Sequence, residues 1–143
     1  MSIQKKLGQN FLNSKSIAKF IVDSATISKN NTVYEIGIGK GILTPFLCEK
    51  SKNVISVEKD VKLYEESKVK FSKIKNLKII HGDGFKEHEK FDIFVSNLPY
   101  SESKNAIQWM LMEKFQHGIV TVSYTHLRAH ETDSYLVCRL LLE

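Results

Sequence analysis

Residues 97–100, Asn-Leu-Pro-Tyr, place a carboxamide, a restrained main-chain carbonyl and a flat ring in consecutive positions. Pro99 holds Leu98 in extended geometry and has no N–H of its own. The Asn97 side-chain oxygen and the Leu98 carbonyl can then converge on one external NH2 group. Tyr100 offers a face on which a planar base can stack. The four residues are suited to gripping an aromatic amine; the plainer reading is a proline turn with a packing tyrosine. Upstream, EIGIGKG carries Gly37, Gly39 and Gly41. Glycine permits positive φ and close approach of backbone to a ligand. The spacing is neither the dinucleotide pattern nor a phosphate-cradling P-loop, and alone it serves equally well as a tight strand–helix turn. Glu58 follows roughly twenty residues later, where a carboxylate can accept both hydroxyls of a ribose. With the glycine loop before it, the nucleoside reading outweighs a solvated strand end. Asp83, in HGDGF, can accept from an adenine amino group; by itself it reads as a turn residue before Gly84.

These residues need a frame that brings them together. TVYEI (32–36), NVISVEKD (53–60), NLKIIHGD (76–83), FDIFVSN (91–97) and HGIVTV (117–122) read as strands. Between them lie helical stretches: ILTPFLCEKS with Pro45 in its first turn, VKLYEESKVKFSK with Leu63 and Tyr64 toward the core, and SESKNAIQWMLMEKF. The last has an apolar stripe of Ala106, Ile107, Met110, Leu111 and Phe115. A helix over Ser14–Ala25 precedes them, with Ile17, Phe20, Ile21 and Ala25 at helical spacing. Strands that are nearly continuous apolar runs, alternating with helices, imply an α/β fold: a mostly parallel sheet covered on both faces. Ligands bind such sheets at the carboxyl ends of the strands, near the switch point. The polar residues at those ends are Glu35 and Gly37, then Glu58, Asp83 and Asn97.

The 143 residues suit one domain, and 42% hydrophobic with 26% charged residues is ordinary for a globule. No apolar run is long enough to span a membrane and the start has no signal core, so a cytoplasmic protein is expected. Cys48 and Cys138 have no metal-ligand spacing and read as free thiols in a reducing compartment. His81, His88 and His117 share no such spacing either; His81 suits a strand-end hydrogen bond and the other two surface positions. Trp109 reads as core, and KVKFSKIKNLK as a solvated face. The net charge of +5 favours a polyanionic partner without requiring one.

Composition changes after Val122. Every basic side chain before that point is Lys; the only Arg residues, Arg128 and Arg139, lie beyond it, and all Ile, Gly and Pro lie before it. Residues 123–143 resemble a translated sequencing adapter rather than native protein. The alternative is a C-terminal helix with Leu136, Leu140 and Leu141 as its apolar side. The domain is therefore taken as 1–122, with a sheet incomplete at its C-terminus.

The strings GQNFL (8–12), EIGIGKGILT (35–44), VEKD (57–60), GDGF (82–85) and NLPY (97–100), in this order, resemble the ribosomal RNA adenine dimethyltransferase family, which includes the small-subunit dimethylases and the erythromycin-resistance methylases. The resemblance spans residues 4–122, and EIGIGKGILT looks closer to archaeal-type small-subunit enzymes than to resistance methylases. It implies a Rossmann-like fold, S-adenosylmethionine as methyl donor, and two adjacent adenosines near the 3′ end of small-subunit rRNA, in a pre-ribosomal particle, as substrate of a monomeric enzyme. It further implies that Asn10 and Leu12 close over the cofactor and that Gly37 passes its backbone along it. Glu58 would hold the ribose, Asp83 the adenine, and Asn97 would sit between cofactor and target base, with Leu98, Pro99 and Tyr100 completing the catalytic corner. Rival readings are an adenine methyltransferase acting on large-subunit rRNA or DNA, and a non-catalytic assembly factor that binds pre-ribosomal RNA. The glycine spacing disfavours a nicotinamide dehydrogenase.

Overall fold

The β-branched and aromatic runs form strands and the glycine and polar clusters between them end those strands. The computed structural model describes residues 14–86, 89–124 and 134–141, with 123–124 and 134–141 described as backbone alone. In chain order the elements are α1 (Lys15–Ser24), β1 (Thr32–Ile36), α2 (Thr44–Lys50), β2 (Asn53–Glu58), α3 (Val61–Lys70), β3 (Leu77–His81), β4 (Ile93–Pro99), a 3-10 turn (Tyr100–Glu102), α4 (Ser103–Met112), β5 (His117–Tyr124) and β6 (Ser134–Leu141). Local chemistry accounts for the helix starts. The Ser14 hydroxyl accepts from the Ile17 N–H, and the Asp60 carboxylate accepts from the Lys62 and Leu63 N–H groups, so orphan donors of α1 and α3 are satisfied. Pro45 lies in the first turn of α2, where its missing N–H leaves no gap.

The strands form one sheet in the order β3-β2-β1-β4-β5-β6, with β1 to β5 parallel. The chain runs outward from β1 through β2 to β3, then returns to lay β4 on the other side of β1. The switch point is thus the seam between β1 and β4. Side chains alternate across the sheet. Val33, Val54, Ile93, Val95 and Ile119 pack against Ala18, Ile21 and Val22 of α1 and Leu47 of α2. Tyr34, Ile55, Phe94 and Val120 face the other way, against Ala106, Trp109 and Met110 of α4. Trp109 is core, as expected: its ring lies 4.9 Å from Phe94 edge-on and 5.9 Å from Phe91 in a stack.

Two helix faces differ from the periodicity. On α1 the buried side is Ala18, Ile21, Val22 and Ala25, while Ile17 and Phe20 are exposed. On α4 it is Ala106, Trp109 and Met110, while Ile107 and Leu111 are exposed. Each helix meets the sheet along a stripe narrower than its run of apolar residues, so the residue that fits the sheet decides the rotation. His117 also departs from its expected surface position. It is half-buried, and its Nε2 bonds the Ala25 carbonyl. His81 makes the strand-end bond anticipated for it, to the Lys59 carbonyl at 3.1 Å. His88 lies outside the described residues. Cys48 is buried, and burial with Glu35 nearby pushes its thiol up to about 12, so it is an inert packing residue.

Past Val122 the backbone of β5 continues to Tyr124, and β6 pairs antiparallel with it from Tyr124↔Ser134 to His117↔Leu141. A helix over this segment is thereby corrected. The leucine spacing suits a helix, but YLVC (135–138) and the leucines after Arg139 also make the short, nearly continuous apolar run of a strand. Among the described residues no helix is long and apolar enough to cross a membrane.

Candidate active site

The ladder between β1 and β4 stops early. Only Val33↔Ile93 and Tyr34↔Phe94 pair, whereas β1 and β2 pair over five positions. Beyond Phe94 the Ser96 hydroxyl fills the seam: it accepts from the Ile36 N–H at 2.7 Å and donates to the Ile36 carbonyl at 2.7 Å. A side chain thus replaces main-chain pairing, and the strands part without leaving buried polar groups unpaired. A cleft of about 600 Å³ opens there, within the size range of small-molecule sites.

Gly37, Glu58, Asp83, Asn97, Leu98 and Pro99 all line this cleft. The three loop glycines have φ of 80°, 56° and 76° at Gly37, Gly39 and Gly41, a conformation that side chains strain. Their N–H groups are used internally: Gly37 donates to the Val57 carbonyl, Gly41 to the Ile38 carbonyl and Gly39 to Glu58 Oε1. The three glycine N–H groups are therefore engaged within the protein, and the loop shapes the cleft wall. Glu58 is only 6% exposed. Its Oε1 takes the Gly39 N–H at 2.9 Å and its Oε2 takes the Asp60 N–H at 3.0 Å. Each oxygen has a further lone pair, so an oriented carboxylate can receive a vicinal diol.

Asp83 makes the turn anticipated for it and also lines the cleft. Its Oδ1 accepts from the Phe85 N–H at 3.0 Å, making the turn. Its Oδ2 has no partner among the described residues and the residue lines the cleft. The turn is seated against β1: the Tyr34 hydroxyl donates to the Gly84 carbonyl at 2.7 Å. A Cβ on Gly84 would stand 2.7 Å from Ile36, so only glycine allows this approach. Asp83 is thus held two residues beyond His81, the β3 register partner of Glu58. That offset suits the ribose and base of one nucleoside.

On the β4 lip, Asn97 is half-buried and its Oδ1 accepts from the Thr121 hydroxyl at 2.7 Å. Leu98 is buried and Pro99 follows it with φ −61° and ψ 151°. Tyr100 does not line the cleft. It lies in the 3-10 turn and is 61% exposed, beside the opening. Asn10 and Leu12 lie outside the described residues.

The residues not anticipated are Ser96, Thr121, Glu35 as a bonded group, and Glu102, Asn105 and Gln108, which α4 and the turn before it add to the cleft wall. Glu35 is buried; its Oε1 accepts from Thr44 at 2.9 Å and Ser56 at 2.8 Å. Burial pushes its carboxyl up to about 8; the Ser56 and Thr44 hydroxyls oppose the rise and the Glu58 charge adds to it. A signal for Ser96, Thr121 and Ser56 existed. Each is a hydroxyl within an apolar strand, and such a group must find a partner when buried.

A parallel sheet that reverses at β1, with a glycine loop, an oriented carboxylate and an Asn-Leu-Pro corner around the opened seam, defines a Rossmann-like methyltransferase fold. A crystal structure of a dimethyladenosine transferase from Plasmodium falciparum superimposes with a TM-score of 0.72 at 28% identity, covering 80% of this chain and 43% of that one. The particular family follows from sequence. The family model for ribosomal RNA adenine dimethylase matches residues 1–132, and the chain belongs to that family. It is 37% identical over 121 residues to ribosomal RNA small subunit methyltransferase A of Borreliella burgdorferi, covering 82% of this chain and 43% of the relative. It is 40% identical over 129 residues to a probable ribosomal RNA small subunit methyltransferase A of Methanococcus aeolicus, covering 87% and 47%. The chain thus spans less than half the length of these relatives.

Proposed function

We propose that this domain binds S-adenosylmethionine in the cleft and methylates the exocyclic amine of adenosines in small-subunit rRNA, at two adjacent adenosines near its 3′ end. The observation that carries the reading is the convergence of Glu58, Asp83 and the Asn97–Pro99 corner on one cleft at the β1/β4 seam. Bound there, the cofactor supplies an electrophilic methyl group on a cationic sulfur. Glu58 takes the ribose hydroxyls, Asp83 the adenine amino group, and the glycine loop shapes the wall. Asn10 and Leu12 close over the cofactor.

The target adenosine has to leave its stack before its amine can enter. Tyr100, exposed beside the opening, stacks the extruded base. The Asn97 Oδ1 and the Leu98 carbonyl accept the two amino hydrogens. That draws the nitrogen toward tetrahedral geometry and turns its lone pair out of conjugation with the ring. On transfer the positive charge would pass from sulfur to the amine nitrogen, whose N–H would then be acidic enough to release its proton to solvent, so no strong base would be needed. Holding the amine in line supplies most of the rate gain, for which oriented groups contribute on the order of 7–11 kcal/mol. The substrate is read as RNA within a pre-ribosomal particle and the protein as a cytoplasmic monomer. The composition change after Val122 supports reading 123–143 as foreign to the domain; the family match, which runs to residue 132, weighs against it.

The test is transfer of labelled methyl from S-adenosylmethionine to small-subunit particles, with large-subunit RNA and DNA offered in parallel. Label on small-subunit adenines, lost in Asn97→Ala while cofactor affinity stays within several-fold, is the expected result. Label confined to large-subunit RNA or DNA would overturn the substrate, and undiminished transfer by Asn97→Ala would overturn the role of Asn97.

A further inference from the structure

We propose that Thr121 is the positioning residue that orients the Asn97 carboxamide for the target amine, an inference that rests on the role given to Asn97 above. Thr121 and Asn97 are register partners on β5 and β4, so their side chains lie on the same face of the sheet. Thr121 is fully buried. Its neighbours Ile119, Val120 and Val122 are buried and apolar, so packing alone would suit valine at this position equally well. Its hydroxyl donates to Asn97 Oδ1 at 2.7 Å; the other acceptor in reach, the Ser96 carbonyl, is 3.5 Å away. The short bond is therefore the one that holds the hydroxyl proton.

A carboxamide is chemically two-ended. Rotated by half a turn it would present an NH2 donor where the amine of adenosine needs an acceptor. Thr121 biases that choice: with Oδ1 toward it the hydroxyl donates across 2.7 Å, whereas accepting from the NH2 would leave its own proton only the Ser96 carbonyl at 3.5 Å. One lone pair of Oδ1 is engaged and the second serves the amine. The threonine never touches the substrate. It acts by keeping Asn97 in one rotamer and one sense, and the same bond polarises the carboxamide. The Leu98 carbonyl requires no such device, since Pro99 already restricts the backbone before it.

The experiment compares Thr121→Val, which keeps shape and loses the donor, with Thr121→Ser, which keeps the donor. Methyl transfer by the full chain is measured at saturating cofactor and varied RNA, with Asn97→Ala alongside. Thr121→Val is expected to lose kcat on the order of 10- to 100-fold, as misplaced reacting groups do, with cofactor affinity and RNA KM within about threefold. Thr121→Ser is expected to recover kcat to within about threefold of the parent. Three-bond couplings to the Asn97 β-protons supply a readout independent of turnover: one χ1 rotamer in the parent and in Thr121→Ser, averaged rotamers in Thr121→Val. Should Thr121→Val not fold, Thr121→Cys, a weak donor, is read in the same two measurements. Unchanged kcat, or a single unchanged Asn97 rotamer, in the donor-deficient variant overturns the inference. If that happens beside an inactive Asn97→Ala, only the role of Thr121 is lost; an active Asn97→Ala removes the assignment of Asn97 itself.

Discussion

β1 has two neighbours and treats them differently. Toward β2 it pairs from Thr32↔Asn53 to Ile36↔Val57 without interruption. Toward β4 it pairs at two positions, after which the Ser96 hydroxyl substitutes for main chain. The closed seam makes core. The open one makes a cleft. The contrast shows that a cleft in a parallel sheet can be made by ending one ladder early, provided a side chain takes over the hydrogen bonds that the ladder would have made. Each seam also fixes a polar group for the site. The β2 side presents Glu58, clamped by two main-chain N–H groups. The β4 side presents Asn97, clamped by Thr121.

Removing the polar group from each lip should separate their roles. After the loss of transfer in Asn97→Ala, the largest effect belongs to Glu58→Ala. Hydrogen bonds to a charged group contribute roughly 1.5–3 kcal/mol, so S-adenosylmethionine affinity should fall roughly 10- to 100-fold by calorimetry. Unchanged affinity would detach Glu58 from the ribose.

The seams themselves can be compared by stability. Ser96→Ala leaves the N–H and C=O of Ile36 without their partner and should cost roughly 1–3 kcal/mol in urea unfolding. Ser56→Ala, on the closed seam, removes one bond to Glu35 and should cost about 1 kcal/mol. Equal losses would mean that Ser96 is no more than a filler.

Glu35 gives a pH-dependent version of the same comparison. Its carboxyl is pushed from an ordinary 4.5 up to about 8 by burial. Between those values the unfolded chain holds fewer protons than the folded one, so the contribution of Glu35 is full below 4.5 and is lost as pH rises through about 8. Stability should decline by at most about 1.4 kcal/mol per pH unit over that window, the limit for one proton. Glu35→Gln should flatten the decline, and parallel pH profiles for the two proteins would contradict the assignment. An effect as small as that of Ser56→Ala is expected for Tyr34→Phe, which keeps the ring and loses the bond to Gly84, about 1 kcal/mol in unfolding. A loosened Asp83 turn should accompany it, seen as faster amide exchange at Phe85.

Much of this protein is legible in one dimension because its signals are local. Strand β1 is read at its observed ends, the carboxyl ends of β1 to β4 point to Glu58, Asp83 and Asn97, and Pro99 restrains Leu98 whatever surrounds it. Alternation and glycine spacing act within a few residues of themselves. What the tertiary structure decided are bonds between distant positions. Ser96 reaches Ile36 sixty residues away, and Thr121 meets Asn97 across twenty-four. The burial that raises Glu35 comes from strands and helices assembled around it, and the face each helix buries is chosen by the sheet it meets. The residue types in this sequence determined which polar groups stand at the strand ends around the cleft. Their orientation was decided only by folding, because a hydrogen bond's direction belongs to both partners and the chain order names only one at a time.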